Sequence, residues 1–149
     1  RHRVVFNGFI NLPTGAATNV WERITNGFQL SGMLQYYSAL PMNLTTGATT
    51  IQGTPARPTV NGTFIDRNAG TGPDFFGVNV RLSRTFSLRE QLRLQAIAEA
   101  FNVLNHRNNL TQNGVFGPGA YPSNPLPTFR EVTAVNDPRV LQLALRLSF

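Results

Sequence analysis

The sequence predicts an all-β fold: an antiparallel up-and-down meander of about five strands, each of the length that crosses a membrane. Three observations predict it. Five segments alternate with period two, the mark of strands whose two faces meet unlike surroundings. Charged residues make up 13% of the chain and hydrophobic ones 41%, about half the charge of an ordinary soluble domain. The connections between the segments alternate between short and long.

The first segment, residues 4–12, sets Val4, Phe6, Gly8, Ile10 and Leu12 on one side and Val5, Asn7, Phe9 and Asn11 on the other. In the second, residues 28–38, Phe28, Leu30, Gly32, Leu34 and Tyr36 oppose Gln29, Ser31, Met33, Gln35 and Tyr37. The third, residues 75–86, sets Phe76, Val78, Val80 and Leu82 against Asn79, Arg81 and Ser83. The fourth, residues 91–101, sets Leu92, Leu94, Ala96, Ala98 and Ala100 against Arg93, Gln95 and Glu99. Its Ala, Leu, Gln and Glu content also suits a helix, which would make it one amphipathic helix of a soluble domain. A strand is preferred because Arg93, Gln95 and Glu99 share one parity, which a helix would scatter. In the fifth, residues 140–149, Leu141, Leu143, Leu145, Leu147 and Phe149 oppose Gln142, Ala144, Arg146 and Ser148.

A tight hairpin around SLREQ joins the third and fourth segments, and PTGAATNVWERITNG makes a moderate turn between the first and second. Residues 40–74 and 106–137 form two long connections rich in Asn, Thr, Gly and Pro, without periodicity. Loops this long are uncommon inside compact soluble domains. In an up-and-down array both long connections leave one end and both short ones the other. That asymmetry is the plan of a bacterial outer-membrane β-barrel, with short periplasmic turns and long external loops. Residues 1–149 read as a single segment of such a larger barrel. A soluble sandwich also alternates, but its loops need not be long at one end only.

The strand charges agree. Arg81, Arg93, Glu99 and Arg146 all fall opposite the aliphatic rows. A lipid-facing Arg at mid-bilayer would cost about 2–4 kcal/mol, so this parity points to a polar lumen. Arg84 is the exception, sharing parity with Leu82 and Phe86, and is expected to snorkel to the interface near the turn. Glu99 is expected within diagonal reach of Arg81, as an ion pair. Arg93 and Arg146 should lie together near the short-turn rim, as solvated wall residues or as a basic patch. Phe28, Phe86 and Phe149 on the turn side, with Tyr36 and Phe76 on the loop side, fit an aromatic girdle.

Other classes find little support. All 13 basic residues are Arg, for a net charge of +6, but they are spread thinly from Arg1 to Arg146, which argues against a nucleic-acid partner. There is no cysteine, hence no disulfide or thiolate metal site. His2 and His106 read as lone surface histidines. No apolar run approaches the ~18 residues of a membrane-spanning helix. No signal peptide is visible and the chain begins with Arg, which suggests a fragment or processed product. Of Glu22, Asp66, Asp74, Glu90, Glu99, Glu131 and Asp137, only Glu99 lies in a predicted strand, and no Ser–His–Asp set has supporting spacing. GVFGPG at 114–119 lacks the lysine and following helix of a phosphate loop. Asn-x-Ser/Thr triplets at Asn43, Asn61 and Asn109 are expected by chance in such loops. No catalytic, metal or cofactor-binding residue is assigned, and the expectation is a protein that is not an enzyme.

Four stretches carry a resemblance: GFQLSGMLQYYSALPMNLTTG, DRNAGTGPDFFGVNVRLSRTFSL, LRLQAIAEAFNVLNHRNN and DPRVLQLALRLSF, together with the opening RHRVVFNGFINLP. In this order and spacing the chain resembles the C-terminal part of the barrel of TonB-dependent outer-membrane receptors, particularly the Oar-like group with a carboxypeptidase-regulatory-like domain. The resemblance spans nearly the whole chain. It implies that Phe149, backed by Leu147 and Leu145, is the terminal signal read by the barrel-assembly machinery. It also implies nutrient uptake, with substrate held by loops 40–74 and 106–137 and a plug. Such receptors close about 22 strands around that plug. Neither the plug nor the energy-coupling box is found here.

Five strands cannot close a barrel, and every unpaired backbone group in hydrocarbon is costly. The implied partners are therefore outer-membrane lipid, the assembly machinery, and further strands and a plug encoded elsewhere. Two other readings stay open. One is a self-assembling or adhesive extracellular β-protein that pairs through its exposed edges; the other is a small soluble carbohydrate-binding β-sandwich.

Overall fold

The computed structural model describes residues 1–13, 18–89 and 91–149. Along them run β1 (Arg3–Asn11), α1 (Val20–Thr25), β2 (Phe28–Tyr37), β3 (Pro41–Met42), β4 (Thr59–Val60), β5 (Thr63–Phe64), β6 (Gly70–Thr71), β7 (Phe75–Ser87), β8 (Arg93–Phe101), β9 (Asn109–Gln112), β10 (Val132–Val135) and β11 (Val140–Ser148). The chain divides into two compact units.

The first unit comprises Arg3–Tyr36, Phe76–His106 and Asp137–Phe149. It holds one five-stranded sheet in the order β1-β2-β7-β8-β11, the expected up-and-down meander. β8 is extended, not helical. It is antiparallel to β7, with Leu82 opposite Ala98 and Phe86 opposite Leu94, and antiparallel to β11, with Leu143 opposite Ala98 and Leu147 opposite Leu94. Pairing on both edges overrides the helix propensity of its Ala, Leu and Glu. The strand begins at Arg93, because Leu92 belongs to the turn and its carbonyl accepts the N–H groups of Leu88 and Arg89. Glu90 of that turn lies outside the described residues.

The moderate turn between β1 and β2 contains an unexpected element, α1. Asn19 caps it by accepting the Glu22 N–H at 2.8 Å, while the Glu22 carboxylate accepts the Thr18 hydroxyl at 2.7 Å and the Thr18 N–H. This is a capping box, legible in Asn19-x-x-Glu22 ahead of Ile24. Residues 14–17 of the turn lie outside the described residues. Beyond the helix, Gly27 has φ +78 and receives the Thr85 N–H on its carbonyl; a Cβ there would stand 2.6 Å from the Thr85 oxygen. Only glycine permits that approach.

At the opposite end of the sheet, Asn102 (φ +47, 6% exposed) ties the exit of β8 to the approach to β11. Its Nδ2 donates to the carbonyls of His106 and Asp137, and its Oδ1 accepts the His106 N–H.

The second unit comprises Arg1–His2, Tyr37–Phe75 and Arg107–Asn136. The connections expected to lack regular structure pair β3 with β6, β4 with β5 and β9 with β10. Among the described residues the buried hydrophobic side chains are Leu44 and Phe116, and both lie here. The glycines of GVFGPG serve packing: they flank Phe116, whose ring stands edge-on to Tyr121 and Phe129 at 5.1 and 5.2 Å. Gly117, at φ +100, leaves no room for a Cβ beside Leu126.

Phe116→Ala should cost about 3–5 kcal/mol. Hydrogen exchange should then accelerate across 107–136 while β7 and β8 stay protected. A second expectation concerns α1. Hydrogen bonds from the Thr18 N–H and hydroxyl hold the Glu22 carboxyl below its ordinary pKa. The cap is therefore complete above the usual carboxylate range and is lost as pH falls through the lowered value. Thr18→Ala should move the Glu22 titration upward, read by NMR.

Candidate functional site

The ladders of β7, β8 and β11 bring the aliphatic residues into transverse rows: Val80, Ala100 and Leu141; Leu82, Ala98 and Leu143; Phe86, Leu94 and Leu147. Nothing among the described residues covers them. Leu143 is 84% exposed and Leu145 75%, whereas a water-soluble sheet would bury such a stripe. In β1, Phe6 and Ile10 are exposed in the same way. This face is built for a non-aqueous neighbour.

The opposite face carries the charges. Arg81 and Glu99 are directly opposite each other, not diagonal as expected, and their side chains meet at 3.4 Å. Arg146 lies opposite Gln95, and Arg93 lies opposite Ser148, so the two arginines are diagonal neighbours. Gln95 donates to Ser83 at 3.4 Å. A cavity of about 490 Å³ runs over this face past Asn7, Ser31, Asn79, Arg81 and Glu99. The face is not uniformly polar: Val5 and Phe9 of β1 share it by parity, and both are exposed.

Arg84 does sit on the aliphatic face, opposite Ala96. It does not simply snorkel. Its guanidinium carbon lies 4.9 Å from the ring centres of both Phe28 and Phe86, and Nη2 donates to the Arg23 carbonyl of α1 at 2.7 Å. Nε is shielded by its surroundings and has no hydrogen-bond partner among the described residues. Two ring faces stabilise the cation where water is scarce. At the other end of the sheet, Phe76 stands edge-on to the exposed His106 at 5.9 Å.

The ladder of β11 persists to Ser148, leaving Phe149 just beyond it and 98% exposed, in line with Leu145 and Leu147. β1 and β11 are the outer strands, and no strand of the described residues pairs their outer edges.

In the loop unit, a cavity of about 340 Å³ is bounded by Asn43, Thr45, Thr54, Arg57, Phe64 and Arg67. Arg57 donates to the Ile65 carbonyl and lies 5.6 Å over the Phe64 ring, while Asn43 Oδ1 accepts the Asn68 N–H at 2.8 Å. The sequence carried no signal for this pocket beyond its place in a long connection.

An open sheet of membrane-length strands, aliphatic on one face and charged on the other, defines the wall of a transmembrane β-barrel. The family model described as outer membrane beta barrel domain matches residues 56–142, more than half of the chain, and the chain belongs to that family. The match runs through β7 and β8 into the start of β11. The protein is accordingly one of the bacterial outer membrane. No curated protein and no solved structure matches it.

Two measurements check the faces. Leu143→Arg should destabilise the assembled protein by about 2–4 kcal/mol, whereas Gln142→Arg should stay within about 0.5 kcal/mol, read from urea unfolding in lipid. A double-mutant cycle of Arg81→Gln and Glu99→Gln should give a coupling of about 0.2–1 kcal/mol that weakens with salt, because the two side chains are 44% and 23% exposed.

Proposed function

We propose that the chain is the C-terminal barrel segment of a TonB-dependent outer-membrane transporter that takes up a bulky nutrient. The observation that carries this reading is the loop unit. Two long connections fold into one unit with Phe116 buried in it, and the first of them bounds the Arg57–Arg67 cavity, an arrangement suited to capturing a ligand. Simple connecting turns would need neither core nor cavity.

In this reading the aliphatic rows meet outer-membrane lipid, and Arg81, Arg93, Glu99 and Arg146 line the lumen. The free edges of β1 and β11 pair with further strands of a barrel closed around a plug. Phe149, with Leu147 and Leu145, is the segment engaged by the assembly machinery. No catalytic role is proposed. The same open edges favour one second reading, an extracellular β-protein that assembles edge to edge.

The test uses the full-length protein. Transport of this kind predicts binding to the periplasmic domain of TonB and nutrient uptake that stops when the proton gradient is collapsed. Steady open conductance in a planar bilayer would contradict it. Ordered filaments forming without detergent would favour edge-to-edge assembly.

A further inference from the structure

We propose that α1 is a membrane-interface anchor, seated through Trp21 in the headgroup–acyl boundary of phospholipid on the short-turn side of the sheet. It rests on the reading that the aliphatic rows face lipid and is independent of what the protein transports.

The helix is amphipathic over its six residues. Val20, Trp21 and Ile24, at i, i+1 and i+4, occupy one face and are 69%, 75% and 52% exposed, so the described residues leave that face uncovered. Glu22 points away from them and is held by Thr18 in the capping box. Trp21 is the single tryptophan of the chain, and tryptophan favours the membrane–water boundary, where its ring is buried and its N–H stays near water.

The position of the helix follows from Arg84. Its guanidinium lies between Phe28 and Phe86, both on the aliphatic face, and donates to the Arg23 carbonyl. The C-terminal end of α1 is thereby fastened to the membrane-facing side of the sheet, not to its charged side. Arg84 stands three residues before the end of β7, about 10 Å along the strand from the turn. The helix is thus held at the turn end of the wall, where an interfacial helix would lie with its apolar face about 5–10 Å into the boundary.

Lipid is the occupant because the surface is continuous with the exposed rows and too small for anything else. A stable protein interface needs about 800 Å² from each partner, beyond what one face of a six-residue helix supplies. The one charged side chain that the aliphatic face of β7 carries is thus put to use as a tether.

The experiment places an environment-sensitive fluorophore on single cysteines in the full-length protein, freed of any other cysteine and reconstituted into phosphatidylethanolamine–phosphatidylglycerol vesicles. Labels at Trp21→Cys and Ile24→Cys report the helix face independently, should one variant fail to assemble. Leu143→Cys reports the aliphatic wall and Arg89→Cys the turn. Lipids brominated near the glycerol should reduce emission at 21 and 24 more than lipids brominated near the chain ends, with little loss at 89. Arg84→Met should diminish the quenching at 21.

Emission at 21 and 24 as insensitive as at 89, with 143 still quenched, would overturn the anchor and leave the wall intact. Stronger quenching at 21 from the chain-end lipids would overturn the interfacial depth. A label at 143 that no lipid quenches would overturn the wall reading itself.

Discussion

Backbone hydrogen bonding in a medium without water governs this molecule. A strand facing hydrocarbon has no solvent to satisfy its N–H and C=O groups, so each must find a neighbouring strand. β8 meets that condition on both edges, which is why an Ala- and Leu-rich stretch with good helix propensity is extended. β2 and β7 are likewise flanked on both sides. Among the described residues β1 and β11 are flanked on one side only.

Burial is inverted to match. Ordinary domains hide their leucines and expose their loops. Here Leu141, Leu143, Leu145 and Leu147 stand out from the sheet, while Phe116 and Leu44 are packed inside the loop unit. The sheet gains little from excluding water within itself; its apolar stripe has its full effect only against lipid. The loop unit must hold its shape in water and does so with a small aromatic core. Each unit draws on the hydrophobic effect, but against a different neighbour. Arg84 shows how a conflict between the two settings is resolved: a cation on the apolar face is enclosed by two rings and spent on a carbonyl at a helix end.

Period-two alternation made the sheet legible because one face is apolar along nearly every strand, and a one-residue slip would carry every apolar side chain to the other face. The charge parity of Arg81, Arg93, Glu99 and Arg146 was legible for the same reason. What escaped had no long period to reveal it. α1 is six residues and announces itself only through Asn19-x-x-Glu22. The short strands of the loop unit are two to four residues long, too short for alternation to register. Asn102 takes a left-handed conformation and ties two segments far apart in sequence, and Arg57 and Arg67 meet around a cavity only after the loops fold. The Arg81–Glu99 pair was anticipated by parity, but its directness depended on the length of the β7–β8 turn, which sequence left uncertain by a residue or two.

The central claim is that one face of the sheet meets lipid and the other water. Nitroxide labels placed singly along β11, from Val140 to Ser148, in the assembled protein test it most directly, by collision with oxygen and with a water-soluble nickel complex. The account predicts strict alternation, with oxygen favoured at 141, 143, 145 and 147 and nickel favoured at 142, 144 and 146. Equal access to both reagents at neighbouring positions, or nickel favoured throughout, would contradict it.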